Sequence, residues 1–438
     1  MKKFLVVLSA LLIATGAFAQ DAKKADFNYS FFGIAYGVMG AQDKLEYDYS
    51  HIRVRPFFTV GNENVKGVVR LEIDQDYGKN ADTSITTSTD LAHSHTITVA
   101  NPSGAGKGTD NKVVEVKWAY LQVKDFLIPN LTATMGLNAY YFPMVVDNDF
   151  AMNQLAYDFG MGKAIFTYIK IDEYAQVEKK DNGTKQNQDA QAYAFDLPIK
   201  AGAVNIRPGF LYITSGKQAT LAFYLDDDDA PYLTTSKAKL YNAALNVNGD
   251  MGMFGFDITG AYLGGNVTET TEGKIDVAAY AFDALLTVKP AEGISLGLFA
   301  TYTSGQDDGD KFKGYDIIMD TYMGACDGRL FLLEAAGVAT NGGYQPFDVT
   351  DTFAGLIVYG VTAEAVFGNV TLLAQYGYAQ VADDTTTGDS AIGQEFDLKA
   401  SYTVAPATTL FVEGGYIKAG DLMDEDAWEV AYGLTTKI

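Results

Sequence analysis

The chain has 438 residues, with 55 Asp+Glu against 32 Lys+Arg, 44 Gly, 28 Tyr and one Cys. A formal charge of −23 excludes a nucleic-acid binder, because neutralising phosphates takes Lys and Arg, and 48% hydrophobic residues exclude a disordered chain. Cys326 alone makes neither an intramolecular disulfide nor a thiolate zinc site, and no CxxCH is present to attach haem.

Residues 1–19 read as a cleaved signal peptide. Lys2 and Lys3 precede an apolar stretch over 4–16, and Ala17-Phe18-Ala19 gives the small-x-small pattern that places the cut before Gln20. No lipobox Cys stands at the junction. Residues 20–438 then form a single domain. No apolar run in it reaches the ~18 residues that a membrane helix needs; the longest, 31–41, is broken by glycines. Instead, segments of about ten residues alternate apolar and polar between turn residues, which is the pattern of a transmembrane β-strand.

The first strand starts near Phe27. In the second, Ile52, Val54, Phe58 and Val60 share one face and His51, Arg53, Arg55 and Thr59 the other; in the third, Val65, Gly67, Val69, Leu71 and Ile73 oppose Lys66, Arg70, Glu72 and Asp74. A four-residue turn at 61–64 predicts pairs that set Arg55 opposite Arg70, Arg53 opposite Glu72 and His51 opposite Asp74. Opposed like charges repel, so Arg55 and Arg70 call for a carboxylate from elsewhere. Only five arginines occur in the chain and three lie here. The expected arrangement is a basic wall facing acidic residues of an inward loop, with Asp147 and Asp149 the best candidates, making a transverse field across a lumen.

A long polar connection at 78–111 carries His93 and His95, too few ligands for a metal site. The strand at 131–141 follows. It runs in the same direction as the strand starting at Lys163, so parity requires a strand between them, and 150–159 supplies it. Further long connections at 214–236 and 304–351 hold the clusters Asp226 to Asp229 and Asp307-Asp308-Gly309-Asp310, and Asp424-Glu425-Asp426 lies near the end. None has EF-hand spacing, so they read as solvated loop surface, bridged to lipopolysaccharide by divalent cations. Strands at 294–302, 370–378 and 396–404 have apolar faces ending in or flanked by Tyr, as a girdle at a bilayer interface requires. At the C-terminus Trp428, Val430, Tyr432, Leu434 and Ile438 lie on one face.

Short connections at 61–64, 126–130, 160–162, 198–202, 250–252, 289–293, 368–369 and 405–408 alternate with the long ones. Short periplasmic turns and long external loops are the topology of an outer-membrane barrel. The fold class is therefore all-β, a transmembrane antiparallel β-barrel of about eighteen strands, or sixteen if two weak strands merge into loops. Such a barrel leaves an aqueous lumen. With no room for a plug before Phe27, any obstruction must come from an inward-folded loop.

The segments 51–58, 62–73, 117–121 and 135–138, with Val146-Asp147-Asn148-Asp149, resemble the second to fifth strands and the acidic loop of porins from Gram-negative bacteria. The resemblance covers about residues 50–160 and implies an outer-membrane homotrimer that passes small hydrophilic solutes. One departure is the final residue, Ile438 where porins usually end in Phe. The leading expectation is a water-filled channel for small hydrophilic solutes and ions, lined at Arg53, Arg55, Lys66, Arg70, Glu72, Asp147 and Asp149. The balance of acidic loops against the basic wall favours cations. The alternatives are a substrate-selective channel and a structural or adhesive barrel with a closed lumen. No enzyme constellation, cofactor or metal site is expected; the partners are outer-membrane lipid, lipopolysaccharide and the solutes.

Overall fold

A computed structural model describes residues 25–42, 45–77, 84–87, 95–98, 114–172, 190–223, 232–269, 273–306, 311–315, 329–334, 336–337, 354–384, 388–423 and 425–438. The predicted signal peptide, His93, the clusters at 226–229 and 307–310, and Asp424 lie outside the described residues, as does the side chain of His95. Eighteen antiparallel strands, each paired to the next in chain order, form one sheet. It closes where the first, Asp26–Gln42, pairs with the last, Ala427–Lys437. Phe31 and Ile438 exchange both backbone hydrogen bonds at the seam, 2.7 and 2.8 Å, so the chain's last residue completes the closure. Two short pieces join the same sheet: Ile199–Ala201 continues the strand Ala190–Asp196, and Lys311–Phe312 runs parallel to Gly273–Ala291. Among the described residues no helix is long and apolar enough to cross a membrane. The closed ladder meets that need differently, since no edge is left to expose unpaired N–H and C=O groups to lipid.

Alternation puts opposite chemistry on the two faces. On the last strand Trp428, Tyr432 and Leu434 are exposed on the outer face, while Glu429 and Ala431 are buried on the inner one. Aromatic residues form a row around the outside. Tyr168–Tyr193, Tyr241–Tyr262, Tyr262–Tyr280, Tyr359–Tyr378 and Tyr376–Phe396 meet at 5.4, 6.0, 5.1, 5.5 and 4.7 Å between ring centroids, and Tyr416 pairs with Trp428. Amphipathic rings at that level suit a bilayer interface.

Several expectations are corrected. The residues 214–236 are not mainly loop: the strands Val204–Phe223 and Tyr232–Asp250 run through most of them. The 78–111 connection contains a hairpin, Ser84–Thr87 with His95–Thr98. The predicted inward strand is present and longer than expected, Val146–Asp158, so 146–149 is wall and not loop. The register of the second and third strands, Leu45–Gly61 and Val65–Tyr77, is also displaced. Gly61 pairs with Lys66, Phe57 with Arg70 and Arg53 with Asp74. The turn causes this: Asn62 Oδ1 accepts the amides of Asn64 and Val65 at 3.0 and 2.9 Å, and Asn62 N donates to Val65 O at 2.8 Å. Reversal therefore occurs over 62–65, one residue later than expected. Each pairing slips by two residues, which preserves every face and takes Arg55 out of opposition to Arg70.

Candidate functional site

The second and third strands carry the predicted basic wall, and it is compensated within itself. Arg53 Nε donates to Asp74 Oδ2 at 2.5 Å. His51 Nε2 lies 3.1 Å from the same carboxylate and stacks on Tyr36 at 4.7 Å. Arg55 Nε donates to Glu72 Oε2, and the Arg55 guanidinium faces the Phe32 ring at 5.9 Å. Arg70 takes an aromatic partner instead: its guanidinium stacks on Trp118 at 4.2 Å, a favourable cation–π distance. Trp118 Nε1 in turn donates to Asp149 Oδ1 at 2.7 Å. Lys66 is half-buried at the turn, away from this network. Asp149 reaches the wall from the strand Val146–Asp158, two strands beyond Val114–Val123, and not from an inward loop; the side chain of Asp147 lies outside the described residues.

Lys117 is the member that alternation hides. Its Nζ lies 3.4 Å from Glu72 and 3.5 Å from Asp149, bridging the two carboxylates. Lys117 and Trp118 are sequence neighbours, so a regular strand sends them to opposite faces. The ladder between Val65–Tyr77 and Val114–Val123 shifts here: Arg70 faces Trp118 but Leu71 faces Val116. That β-bulge turns both side chains inward.

The inward-folded element comes from the 304–351 connection, which was expected outside. One described part of it, 329–334, lies within the barrel against strands from Gly273–Ala291 to Thr408–Ala419. Arg329 forms a two-armed pair with Asp283, 2.7 and 2.8 Å. Phe331 N donates to Asp397 at 3.1 Å, and Leu332 N and Leu333 N donate to the two oxygens of Glu395 at 2.7 and 2.8 Å. Gln375 Nε2 donates to Arg329 O at 2.6 Å. Leu330 and Leu332 sink into a cluster with Phe299, Val358, Ile392 and Ile417. Two glycines make room for them. A Cβ on Gly377 would stand 2.7 Å from Leu330, and one on Gly415 2.9 Å from both Leu332 and Asp397 Oδ1. Two further described stretches of the connection, 304–306 and 311–315, line the inner wall: Phe312 and Tyr315 pack with Phe142, Met144 and Val145, and Asn242 Nδ2 donates to Tyr315 OH at 2.9 Å.

Glu334 closes the segment on itself, accepting the amides of Arg329 and Leu330 at 3.0 and 3.1 Å and facing Thr301 at 3.4 Å. Burial pushes its carboxyl above the ordinary range, helped by the negative charge of Asp283 and opposed by those amides and Arg329. The seated form therefore holds this proton to higher pH than a form released into water. Seating is strengthened by protonation and weakens as pH rises from the ordinary carboxylate range through the raised pKa. Hydrogen-exchange protection of the Leu332 and Leu333 amides, corrected for the intrinsic rate, is expected to fall over that interval. Protection that rises there contradicts the assigned sign.

The same wall architecture occurs in solved structures. The chain is similar to Acinetobacter baumannii OccAB1 at TM-score 0.56 and 12% identity, covering 95% of this chain and 98% of that one. It is similar to Pseudomonas aeruginosa OccK11 (OpdR) at 0.54 and 9%, covering 96% and 98%, and to Pseudomonas aeruginosa OccK3 (OpdO) at 0.52 and 11%, covering 94% and 96%. These are Gram-negative outer-membrane porins. The chain has the outer-membrane porin fold. No family model and no curated protein matches it.

In this porin fold the apolar, aromatic-ringed outer face has the chemistry of a lipid-facing surface. The inner face carries the charges: the Arg53–Arg55–Arg70 network on one side and the carboxylates Asp283, Glu395 and Asp397 on the other. The predicted acidic cluster near the C-terminus has a local duty in its described part. Asp426 accepts from Tyr416 OH at 2.5 Å and Ala419 N at 3.0 Å, which ties the last connection to its own strand. Those two bonds, with Lys418 beside them, hold its carboxyl below the ordinary range. Among the described residues no group of His, Cys, Asp or Glu is placed to hold a metal ion.

Proposed function

We propose that this protein is an outer-membrane channel whose water-filled lumen passes small hydrophilic solutes and ions between the arginine wall and the seated segment at 329–334. The observation that carries this reading is the closed wall itself, apolar outside and charged inside, since only an aqueous interior gives that inner face a solvent. Arg53, Arg55, Arg70, Glu72, Asp149 and Lys117 form one side of the passage, with Lys66 nearer the short-turn mouth. Planar-bilayer recording in KCl tests the reading, with discrete conductance steps expected. A barrel that inserts yet gives no steps at any voltage refutes it and leaves the structural or adhesive barrel.

One feature favours selectivity over general diffusion. The segment 329–334 occupies part of a lumen whose wall elsewhere carries oriented charges, so that a passing solute meets fixed charge from the segment's carboxylate partners and from the arginine wall. A solute that blocks the ion current saturably would identify a substrate-selective channel; current reduced only in proportion to solute size would identify general diffusion.

A further inference from the structure

We propose that the barrel binds a neutral polyhydroxylated solute, a polyol of monosaccharide size, at an asparagine ladder near the short-turn end of the lumen. This rests on the channel reading and names a substrate class for it. A cavity of about 670 Å³ is lined there by Tyr141, Asn205, Arg207, Asn246, Asn248 and Asp257 among others, a volume within the range of small-molecule sites. The turn at 160–162 and Pro198 border it, and short turns mark the periplasmic end of such barrels.

The polar groups form a directed chain across three adjacent strands. Asn205 Nδ2 donates to Asn248 Oδ1 at 2.8 Å, and Asn248 Nδ2 to Asn246 Oδ1 at 2.8 Å. Asn246 Nδ2 ends the chain on Asp257 Oδ1 at 2.6 Å and Thr259 Oγ1 at 2.8 Å. A primary amide has two N–H donors and two acceptor lone pairs. Among the described residues, the ladder therefore leaves one N–H on Asn205, one on Asn248, a lone pair on each amide oxygen and Asp257 Oδ2 for a guest. Asn205 and Asn248 face each other across one inter-strand gap of about 4.8 Å and Asn246 stands two residues along the same strand as Asn248, so the free donors and acceptors are spread over the scale of one pyranose ring. A hydroxyl both donates and accepts, so it satisfies either kind of neighbour.

Arg207 is already paired while the Asp257 carboxylate stays open to a hydroxyl, so the site turns away an anion and the guest it takes is neutral. Arg207 donates to Asp196 at 3.0 Å and to Tyr141 O at 2.9 Å, with its guanidinium on the Tyr141 ring at 5.4 Å. Asp257 takes the Asn246 amide. Lys163, Lys200 and Asp158 lie exposed at the rim, where water screens them.

Saturation-transfer NMR on the full barrel, folded in a detergent without a sugar head group, tests this with methyl α-D-glucopyranoside as probe. Saturable transfer is expected. Asn246→Ala with Asn248→Ala is expected to weaken it about tenfold or more, while Lys289→Ala, at a separate turn, leaves it unchanged. If the double variant does not fold, the exposed Asn205→Ala replaces it and is expected to weaken transfer in the same direction. Absence of saturable transfer, equal transfer in wild type and the asparagine variants, or tighter binding of glucuronate than of the neutral glucoside overturns the proposal. Conductance steps without glucoside binding refute this site and leave the channel; binding without steps refutes the channel and leaves the site.

Discussion

Replacing Arg329 by alanine is expected to release the segment 329–334 from the inner wall while the barrel stays closed. The Arg329–Asp283 pair is nearly dry, with side chains 11% and 7% exposed. Removing one partner of a buried pair costs about 3–5 kcal/mol, because the other charge is left uncompensated. Asp283 is then a carboxylate in an apolar surround, its remaining partner Thr301 at 2.8 Å. The cost falls on the seat. The strand ladder that closes the barrel does not pass through Arg329, so unheated electrophoretic mobility should remain that of a folded barrel. Loss of hydrogen-exchange protection at Leu332 and Leu333, together with a larger conductance level, is the expected readout. Arg329→Lys should recover only part of the effect, since an ammonium cannot reproduce the two-armed geometry. Gly377→Val is the control that touches no charge: its side chain claims the space of Leu330 and should unseat the same segment. Wild-type protection in both Arg329→Ala and Gly377→Val would show that the segment is held by something other than these contacts.

The parts of this molecule legible in the sequence were those that depend on period and parity. Alternation placed Trp428, Tyr432 and Leu434 outward, and the even strand count demanded the strand found at Val146–Asp158. The inward faces of Arg53, Arg55, Arg70 and Glu72 were readable because a two-residue slip keeps faces intact. Their partners were not, because the turn was fixed by the side chain of Asn62, which accepts two amides and delays the reversal. Lys117 was hidden by a bulge, an event with no periodic signature. The seat of 329–334 depends on carboxylates 62 to 66 residues further along the chain, a contact no local pattern encodes. A signal for the segment did exist: Leu330-Phe331-Leu332-Leu333 is an apolar run inside a polar connection, and four such residues in succession rarely face water.

The second large effect is expected in ion selectivity. Changing Arg55 and Arg70 together to alanine removes two fixed positive charges from one side of the lumen and leaves Glu72, 2% exposed, with Lys117 as its remaining ion partner. A charge about 8 Å from a passing ion contributes between ~0.5 kcal/mol in water-like surroundings and ~2 kcal/mol at the effective dielectric of a protein surface. Each charge removed should therefore change the permeability of one ion by about twofold to thirtyfold, so with two charges lost the cation-to-anion ratio should rise by more than twofold, read as a shift of reversal potential under a KCl gradient. The shift should shrink at high salt, where the screening length falls to about 3 Å. The two arginines are not equivalent. Arg55 is paired in place with Glu72, so removing it exchanges a neutral pair for a net negative charge. Arg70 is held by the Trp118 ring and by proximity to Asp149, so removing it also frees an aromatic face and loosens the indole that fixes Asp149. Arg70→Lys is expected to retain the charge but lose the stacked guanidinium plane. It should then keep the reversal potential close to wild type while adding current noise from a mobile Asp149. A reversal potential unchanged in the double variant would place the ion path away from this wall.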